Sequence, residues 1–287
     1  MYNLLFKAAS QTLKQVIANP SNLGVNCGFF AILHTWDQRL NLHPHIHCVV
    51  PGGGLTSDKT SWVSSAKKFL VHVRKLSLVF RGMFLNGMDS LYRTNQLTMI
   101  GNISTLKHYG TFKALLKKSC ATDWVVYAKP PFNGPYLVLR YLARYTHRIA
   151  ISNSRILGVT DNDKVLISWQ DRKHGYVKKT AAFDPVTFMK KFLLHVLPFR
   201  FVRIRYYGFM GNTVRKERIG LIRALLSDSD ADDSGSDNST QDSQPVPSGW
   251  VDLMIMLTGE DPLICKECGE GCMVLVAATE IYRIRDG

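Results

Sequence analysis

Three histidines alternate along one short segment, His43-Pro44-His45-Ile46-His47. Successive side chains of a β-strand point to opposite faces of the sheet, so a strand here projects all three imidazoles from one face. Imidazoles two residues apart on one face can converge on a single divalent ion. With nine histidines in 287 residues, such a triple arises by chance only about 0.01 times when matches to this template are counted. The alternative is an exposed strand whose histidines are solvated.

A metal held by two histidines needs at least one more ligand, and the preceding segment offers three candidates. Gln38 lies seven residues before His45 across a predicted hairpin, so antiparallel pairing can bring its amide oxygen beside the imidazoles. Asp37 and His34 are alternatives from the same strand, and either suits a hard or borderline cation. Phosphate chemistry also needs open coordination positions, where a scissile phosphate oxygen can bind and be polarised.

Two tyrosines, Tyr141 and Tyr145, lie four residues apart in a segment with helical periodicity. Residues four apart share one face of a helix within about 6 Å, so both phenol oxygens can serve one site in turn. The reference pKa of tyrosine is about 10, and a nearby metal or cation is needed to activate it at neutral pH. Arg140, Arg144 and Arg148 surround the pair and are predicted to bind DNA. The alternative is a pair of aromatic residues on the buried face of a helix.

Aromatic and basic side chains interleave in the segment FRFVRIRYYGF, residues 199–209. A strand of this kind can stack bases on its aromatic rings while its guanidinium groups contact phosphates, as single-strand binders do. We therefore predict that Arg203 and Arg205 bind DNA. The alternative is a half-buried sheet strand with both arginines on its solvated face.

Three cysteines cluster near the end of the sequence, at Cys265, Cys268 and Cys272. Closely spaced thiols of this kind suggest part of a Zn²⁺ site. No histidine or further cysteine follows to complete four ligands. A bound Zn²⁺ at these three residues is therefore a secondary prediction.

The charge of the chain is strongly uneven. The formal net charge is +14, and residues 1–226 carry 33 Lys and Arg against 9 Asp and Glu. Residues 227–243 carry six Asp and no basic residue. A basic excess of this size on one domain favours a polyanionic partner, because neutralised phosphates release counterions. The alternative is a solvated basic surface that keeps the protein soluble.

The elements that must position these residues indicate an α+β protein. β-forming segments at residues 28–36 and 43–50 predict an antiparallel hairpin that ends at Pro51-Gly52-Gly53-Gly54. Helical periodicity at residues 3–17, 67–86 and 186–196 adds amphipathic helices. We predict a domain at 1–226, a disordered acidic linker at 227–249 and a short cysteine-containing module at 250–287. No apolar run reaches the roughly 18 residues of a membrane span, so a soluble cytoplasmic protein is expected.

The segments HPHIHCVVPGGG and YLARYTHRIAISNSR together resemble the two-tyrosine HUH transposases of rolling-circle insertion sequences. The segments LHTWDQRLNL, FLLHVLPFRFVRIRYYGFMGN and LTGEDPLICKECGEGCM are similar to that family in the same order. The resemblance implies that His45 and His47 are the metal ligands and that Tyr141 and Tyr145 are the nucleophiles. Gln38 lies where related nuclease families often place a third ligand.

This resemblance further implies a central antiparallel sheet of HUH-nuclease type, flanked by helices, that carries the histidines beside a tyrosine-bearing helix. It implies Mg²⁺ or Mn²⁺ as cofactor, and cleavage and rejoining of single-stranded DNA through 5′-phosphotyrosine intermediates. The expected location is the bacterial cytoplasm, in association with the nucleoid. Two departures stand out. Asp37 occupies a position where glycine is expected, and the sequence lacks the cysteine-rich zinc-binding region that precedes the catalytic domain, as expected for an N-terminally truncated chain.

Two other functions remain open from the sequence. One is a truncated, catalytically inactive relic that binds single-stranded DNA without cutting it. The other is a metal-dependent RNA-binding or RNA-processing protein. Cleavage of single-stranded DNA with Mn²⁺ separates the transposase from the relic, and competition by RNA separates both from the third.

Overall fold

A computed structural model gives the fold of the chain. It describes residues 1–66, 69–132, 134, 136–138, 141, 150–171, 174–232, 251–252, 255, 261 and 263–264. The chain divides into two compact units, one formed by Met1–Pro131 with Arg144–Ser234 and the other by Phe132–Ala143 with Gly235–Gly287. All elements given bounds below belong to the first unit.

Helices and strands alternate irregularly along this unit. The helices are α1 (Tyr2–Ala18), α2 (Val73–Arg93), α3 (Tyr109–Ala121), α4 (Pro185–Leu193) and α5 (Arg215–Asp232). The strands are β1 (Phe29–Trp36), β2 (Leu42–Val49), β3 (Gly53–Leu55), β4 (Trp62–Ser64), β5 (Ile156–Val159), β6 (Val165–Asp171), β7 (Val177–Phe183) and β8 (Ile204–Tyr207). Short 3-10 helices occupy Gly101–Lys107, Asn153–Arg155 and Gly208–Met210.

The sheet that matters most for function has the strand order β2-β1-β8 and is antiparallel throughout. In the β1–β2 pair, His34 lies opposite His45 and Ile32 opposite His47. The connecting turn is fixed by Asp37, whose carboxylate accepts hydrogen bonds from the backbone N–H groups of Arg39 and Asn41, both at 2.8 Å. This short-range bonding sets the register in which the two strands pair.

The two faces of this sheet have different partners. On the face that we call the helix face, Ala31 and Leu33 of β1 pack with Phe6 of α1, and all three are buried. Helix α2 joins this side because Leu76 is buried in the cluster that contains Phe29. Side chains with the opposite strand parity, including His34, project from the other face, which we call the histidine face.

A second antiparallel sheet, β5-β6-β7, packs beside the β1–β2 turn. Ile167 of β6 is buried in one cluster with Leu40 of the turn and Ala150, and Phe188 and Phe192 of α4 pack against that cluster. Apolar burial of this kind stabilises the turn in addition to its own hydrogen bonds.

The α+β class expected from the sequence is confirmed, with differences in detail. Residues 123–132, which include the β-forming segment WVVYAKPPF, belong to no strand or helix; prolines at 130 and 131 cannot donate to a ladder. Strand β8 covers only four residues of the segment 199–209. Helix α5 continues to Asp232, six residues into the predicted acidic linker, and the rest of that linker lies outside the described residues. None of the described helices combines the length and apolar content needed to cross a membrane.

The end of β8 depends on one glycine. Gly208 has a φ of +59°, and a Cβ added there would lie 1.8 Å from the carbonyl oxygen of Cys27. Phe209, next in the chain, packs over Gly28 so closely that a Cβ on Gly28 would meet its ring at 2.4 Å. This contact packs the end of β8 against the residue that precedes β1.

We expect Gly208→Ala to lower the free energy of unfolding by more than about 2 kcal/mol, because both the backbone conformation and the carbonyl contact exclude a methyl group. Urea denaturation measures the change. Gly82→Ala is the matched control, since Gly82 lies inside α2 with nothing within 4 Å of an added Cβ, and alanine there should stabilise by about 0.5 to 1 kcal/mol. A Gly208→Ala protein as stable as the wild type would contradict this account.

Candidate metal centre

His34, His45 and His47 form a compact cluster on the histidine face. Their ligand atoms all lie within 4.8 Å of one another. The ring centroids are 4.9 Å apart for His34 and His45, and 4.8 Å apart for His45 and His47. Among the described residues, this is the one group of three metal-ligating side chains found. Strand alternation brings His45 and His47 together, and the register adds His34.

The electrostatic environment keeps at least one of these imidazoles neutral. Burial and, to a lesser extent, the charges of the neighbouring His45 and His47 lower the pKa of His34 to about 3. A neutral imidazole offers a nitrogen lone pair, which is the form that binds metals. His34 is therefore ready to act as a ligand at neutral pH.

Neighbouring groups also set the orientation of the rings. Nδ1 of His45 lies 2.7 Å from the carbonyl oxygen of His43, to which it donates a hydrogen bond. In the neutral imidazole that bond puts the lone pair of His45 on Nε2. The Trp36 ring packs on His34 with centroids 3.8 Å apart. His43 is exposed at the start of β2 and stands outside the three-histidine cluster.

Gln38 and Asp37, the other candidate ligands, lie in the β1–β2 turn. Oε1 of Gln38 accepts a long hydrogen bond, 3.4 Å, from the backbone N–H of Gln170, and its carbonyl oxygen accepts one from Arg155. Burial raises the pKa of Asp37, but hydrogen bonds from Asn41 and Arg39 lower it more, so the net shift is downward. Asp37 thus serves the turn at the position where the resemblance led us to expect glycine. Among the described His, Cys, Asp and Glu residues, His34 is the one whose ligand atom groups with those of the paired histidines.

His195, which follows α4 and is 3% exposed, supports the β1–β2 turn. Its Nε2 donates to the carbonyl oxygen of Leu40 at 3.2 Å, and its Nδ1 lies 3.1 Å from the hydroxyl of Thr35. With Nε2 protonated, Nδ1 accepts from Thr35, so a neutral imidazole satisfies both partners. Its ring also contacts Trp36, at 5.9 Å between centroids. The Trp36 ring therefore contacts both His195 and His34.

This role of His195 was not visible in the sequence. It is a single histidine within an apolar helical pattern, FLLHVL, and such a residue carries no spacing signal for function. Only the fold shows that it lies under the turn that precedes β2.

The two predicted DNA-binding arginines of the segment 199–209 have different surroundings. Arg205 packs its guanidinium over Phe6 at 4.2 Å and over Phe201 at 5.3 Å, and it donates to Oδ1 of Asn3 at 2.6 Å. These contacts tie α1 to β8. Arg203 is half-buried beside β1, where its carbonyl oxygen accepts from the N–H of Leu33 at 3.0 Å, and its charge contributes to the lowered pKa of His34.

The remaining predicted site residues are described only in part. Tyr141 is helical and half-buried, with its ring 5.2 Å from that of Phe132 in the second unit. The others lie outside the described residues: Tyr145, Arg140, Arg144, Arg148, Cys265, Cys268 and Cys272. Their roles, including a Zn²⁺ at the three cysteines, stay predictions.

If His34 is the third ligand, His34→Ala should weaken Mn²⁺ binding at pH 7.5 by at least about tenfold, the scale on which changes around metal sites act. Isothermal titration calorimetry measures the affinity. His43→Ala removes an imidazole from the same strand but outside the cluster, so it should leave the affinity nearly unchanged. A larger loss in Gln38→Ala than in His34→Ala would instead support the amide as ligand.

His195→Ala should lower the free energy of unfolding by about 2 to 4 kcal/mol at pH 7.5, since it opens a cavity and removes the hydrogen bonds of buried Thr35 and Leu40. Burial lowers the pKa of His195, so below about pH 6.5 the unfolded chain binds a proton that the folded protein excludes. The free energy of unfolding of the wild type therefore decreases as the pH is lowered. The difference in stability between the wild type and the variant becomes smaller at pH 5.5. Urea denaturation at both pH values tests this.

His174→Ala is the control for the previous experiment, because the His174 side chain is 73% exposed. It should cost much less stability than His195→Ala at pH 7.5. Equal effects of the two substitutions would show that the buried hydrogen bonds of His195 do not support the turn.

Comparison with known proteins agrees with the geometry. Residues 28–218 match the family Y2_Tnp, described as "Putative transposase". The chain is 40% identical over 276 residues to "Putative transposase y4qJ" of Sinorhizobium fredii, covering 96% of this chain and 67% of that protein. It is 28% identical over 216 residues to "Transposase for insertion sequence element IS801" of Pseudomonas savastanoi pv. phaseolicola, covering 75% of this chain and 50% of that protein. No solved structure matches the chain significantly.

The match to the family begins at Gly28, just before β1, and ends at Arg218 in α5. It therefore includes both strands of the histidine cluster, the turn between them and the histidine that supports that turn. The chain belongs to the Y2_Tnp family of transposases.

Proposed function

We propose that this chain cleaves and rejoins single-stranded DNA through 5′-phosphotyrosine intermediates during rolling-circle transposition. The observation that carries the proposal is the three-histidine cluster on the histidine face of the β2-β1-β8 sheet. Membership of a transposase family supplies the reaction class. The fold type suggested by the resemblance, an HUH nuclease with histidines on a central antiparallel sheet, is consistent with this arrangement.

The donor set fits a divalent cation. Three imidazole nitrogens would hold the ion from one side and leave its other coordination positions open. A cation bound there would polarise a phosphate oxygen of the scissile bond. Imidazole suits borderline cations better than Mg²⁺, which prefers oxygen ligands, so Mn²⁺ is the better candidate of the two expected ions.

The tyrosines would supply the covalent chemistry. In our proposal the phenolate oxygen of Tyr141 or Tyr145 attacks the scissile phosphorus, and the bond from phosphorus to the 3′ oxygen breaks. The 3′ oxygen leaves as a hydroxyl, and the 5′ phosphate stays on the tyrosine. Because one phosphodiester replaces another, a 3′-hydroxyl can reverse the step without ATP. The second tyrosine would accept the other strand end during transfer.

Charge supports DNA as the partner. The basic excess of the first 226 residues precedes the acidic segment entirely, so phosphate attraction belongs to the part of the chain that carries the histidines. Arg203 is the predicted DNA-binding residue best placed to help, because it adds positive charge beside His34. Arg205 is held by Phe6, Phe201 and Asn3, and its contribution would be to the fold.

The proposal is tested with single-stranded oligonucleotides that tile the DNA flanking the gene, labelled at the 3′ end. With Mn²⁺, the wild type should form a labelled protein–DNA adduct that survives SDS. Tyr141→Phe and Tyr145→Phe each remove one hydroxyl, and the double variant should form no adduct while folding normally. Denaturing gels measure the adduct.

Tyr176→Phe is the control, because Tyr176 is an exposed tyrosine, 62% accessible, between β6 and β7. Its adduct yield should equal that of the wild type. An adduct at wild-type level in the double variant would end the tyrosine assignment. No adduct from the wild type on any tile would favour the catalytically inactive DNA-binding relic.

A further inference from the structure

A second strongly basic surface lies in the helical segment 73–121, outside the histidine cluster. This segment carries eight Lys and Arg but one acidic residue, Asp89. Asp89 is already paired, since its carboxylate accepts from Arg93 at 2.6 Å. The eight basic residues are Arg74, Lys75, Arg81, Arg93, Lys107, Lys113, Lys117 and Lys118. Most soluble surfaces intersperse both signs of charge, so a surface of one sign indicates an anionic partner.

Helix α3 presents the densest part of this charge. Its one buried residue is Phe112, which stacks on Tyr92 of α2 with ring centroids 4.4 Å apart. Lys113, Lys117 and Lys118 are exposed, and within the described part of the chain none of the three forms a salt bridge. Lys113 and Lys117 are one helical turn apart, so their ammonium groups follow one line along the helix.

The half-buried aromatic side chains of this region pack against one another. Tyr109 contacts Tyr92 at 5.2 Å, and Phe80 and Phe84 of α2 pack against Trp124 at 5.6 and 5.4 Å. Proteins that bind single strands expose aromatic rings on which bases stack. The exposed residues of α3 include these lysines and Leu115 but neither of its aromatic residues, which suits contacts to phosphates and not to unpaired bases.

The position of α3 separates it from the candidate metal centre. Helices α1 and α2 cover the helix face of the β2-β1-β8 sheet, and α3 packs on α2. The three histidines project from the opposite face of that sheet. A DNA strand bound at the histidines therefore lies on the opposite side of the sheet from the α3 lysines.

We propose that Lys113, Lys117 and Lys118 form a second DNA-binding surface that takes the phosphate backbone of double-stranded DNA. Charge complementarity selects the anion, and the packing of the aromatic rings on one another favours the duplex over the single strand. The surface holds a duplex segment near the enzyme while a single strand is processed on the other face of the sheet. This inference rests on DNA as the partner in the proposed function, but not on the cleavage chemistry.

The test compares the full-length wild type with the triple variant Lys113→Gln, Lys117→Gln, Lys118→Gln, in which glutamine keeps the helix propensity. Binding to a labelled 30-base-pair duplex is measured by fluorescence anisotropy in EDTA from 0.05 to 0.2 M salt. We expect the slope of log K against log salt to become less negative by about 2 to 3 in the variant. The affinity at 0.1 M salt should fall at least about tenfold. A single-stranded oligonucleotide of the same sequence should lose clearly less affinity.

The matched control is Lys59→Gln, Lys178→Gln, Lys216→Gln, which removes the same net charge from exposed lysines elsewhere. It should change the salt slope by much less than the α3 variant. Equal slopes for the two variants, or no duplex binding by the wild type, would overturn the proposal. Equal losses on the duplex and on labelled poly-L-glutamate would also overturn it, since the surface would then bind acidic polypeptides as well.

The same samples separate this inference from the proposed function. The α3 variant should form the SDS-stable adduct at the wild-type level. If the proposed cleavage chemistry is wrong, the wild type forms no adduct, while the duplex titrations in EDTA still decide the role of α3.

Discussion

The antiparallel register between β1 and β2 determines which side chains meet on the histidine face. Side chains alternate along each strand, so a slip of one residue would turn His45 and His47 toward the buried helix face and bring Ile46 out. The Asp37 carboxylate prevents that slip by accepting hydrogen bonds from two backbone N–H groups of its own turn. Burial of Leu40 under Ile167 adds an apolar constraint on the same turn. Local hydrogen bonding and burial thus act together on one five-residue connection.

The two faces of the sheet divide the work of stability and function. The helix face carries the apolar core, in which Phe6, Ala31 and Leu33 are almost inaccessible to solvent. That burial offsets the cost of placing three imidazoles on the other face. His195 connects these regions, because it is buried in the fold yet its ring contacts Trp36, which packs on His34. The geometry of the candidate centre is therefore supported by residues that never touch an ion.

Sequence patterns predicted the strand that carries His45 and His47, because alternation needs no knowledge of the rest of the fold. They left the third member open among Gln38, Asp37 and His34. Gln38 was favoured by counting across a hairpin, but the turn occupies residues 37–41, and Leu40 adopts a φ of +58° that a non-glycine residue seldom shows. With five residues in the turn, His34 faces His45. The WVVYAKPPF segment has strand-forming composition, yet none of the described strands pairs with it, and pairing is a property of the whole fold.

Other predictions depend on long-range contacts that no local pattern encodes. Arg205 was assigned to DNA from the interleaving of aromatic and basic residues, whereas the fold surrounds it with Phe6, Phe201 and Asn3 from distant parts of the chain. The same interleaving placed Arg203 close to His34. The two arginines lie two residues apart in one pattern, yet the fold gives them different surroundings.

The central claim is that His34, His45 and His47 together hold one divalent cation. The most direct measurement is an anomalous difference map from crystals of the protein grown with Mn²⁺, collected on the high-energy side of the manganese absorption edge. Our account predicts a single strong peak on the histidine face, with nitrogens of all three imidazoles at about 2.0 to 2.3 Å, near the metal–nitrogen distances known for protein sites. A peak coordinated by Gln38 or Asp37 in place of His34, or no peak between the histidines, would contradict it.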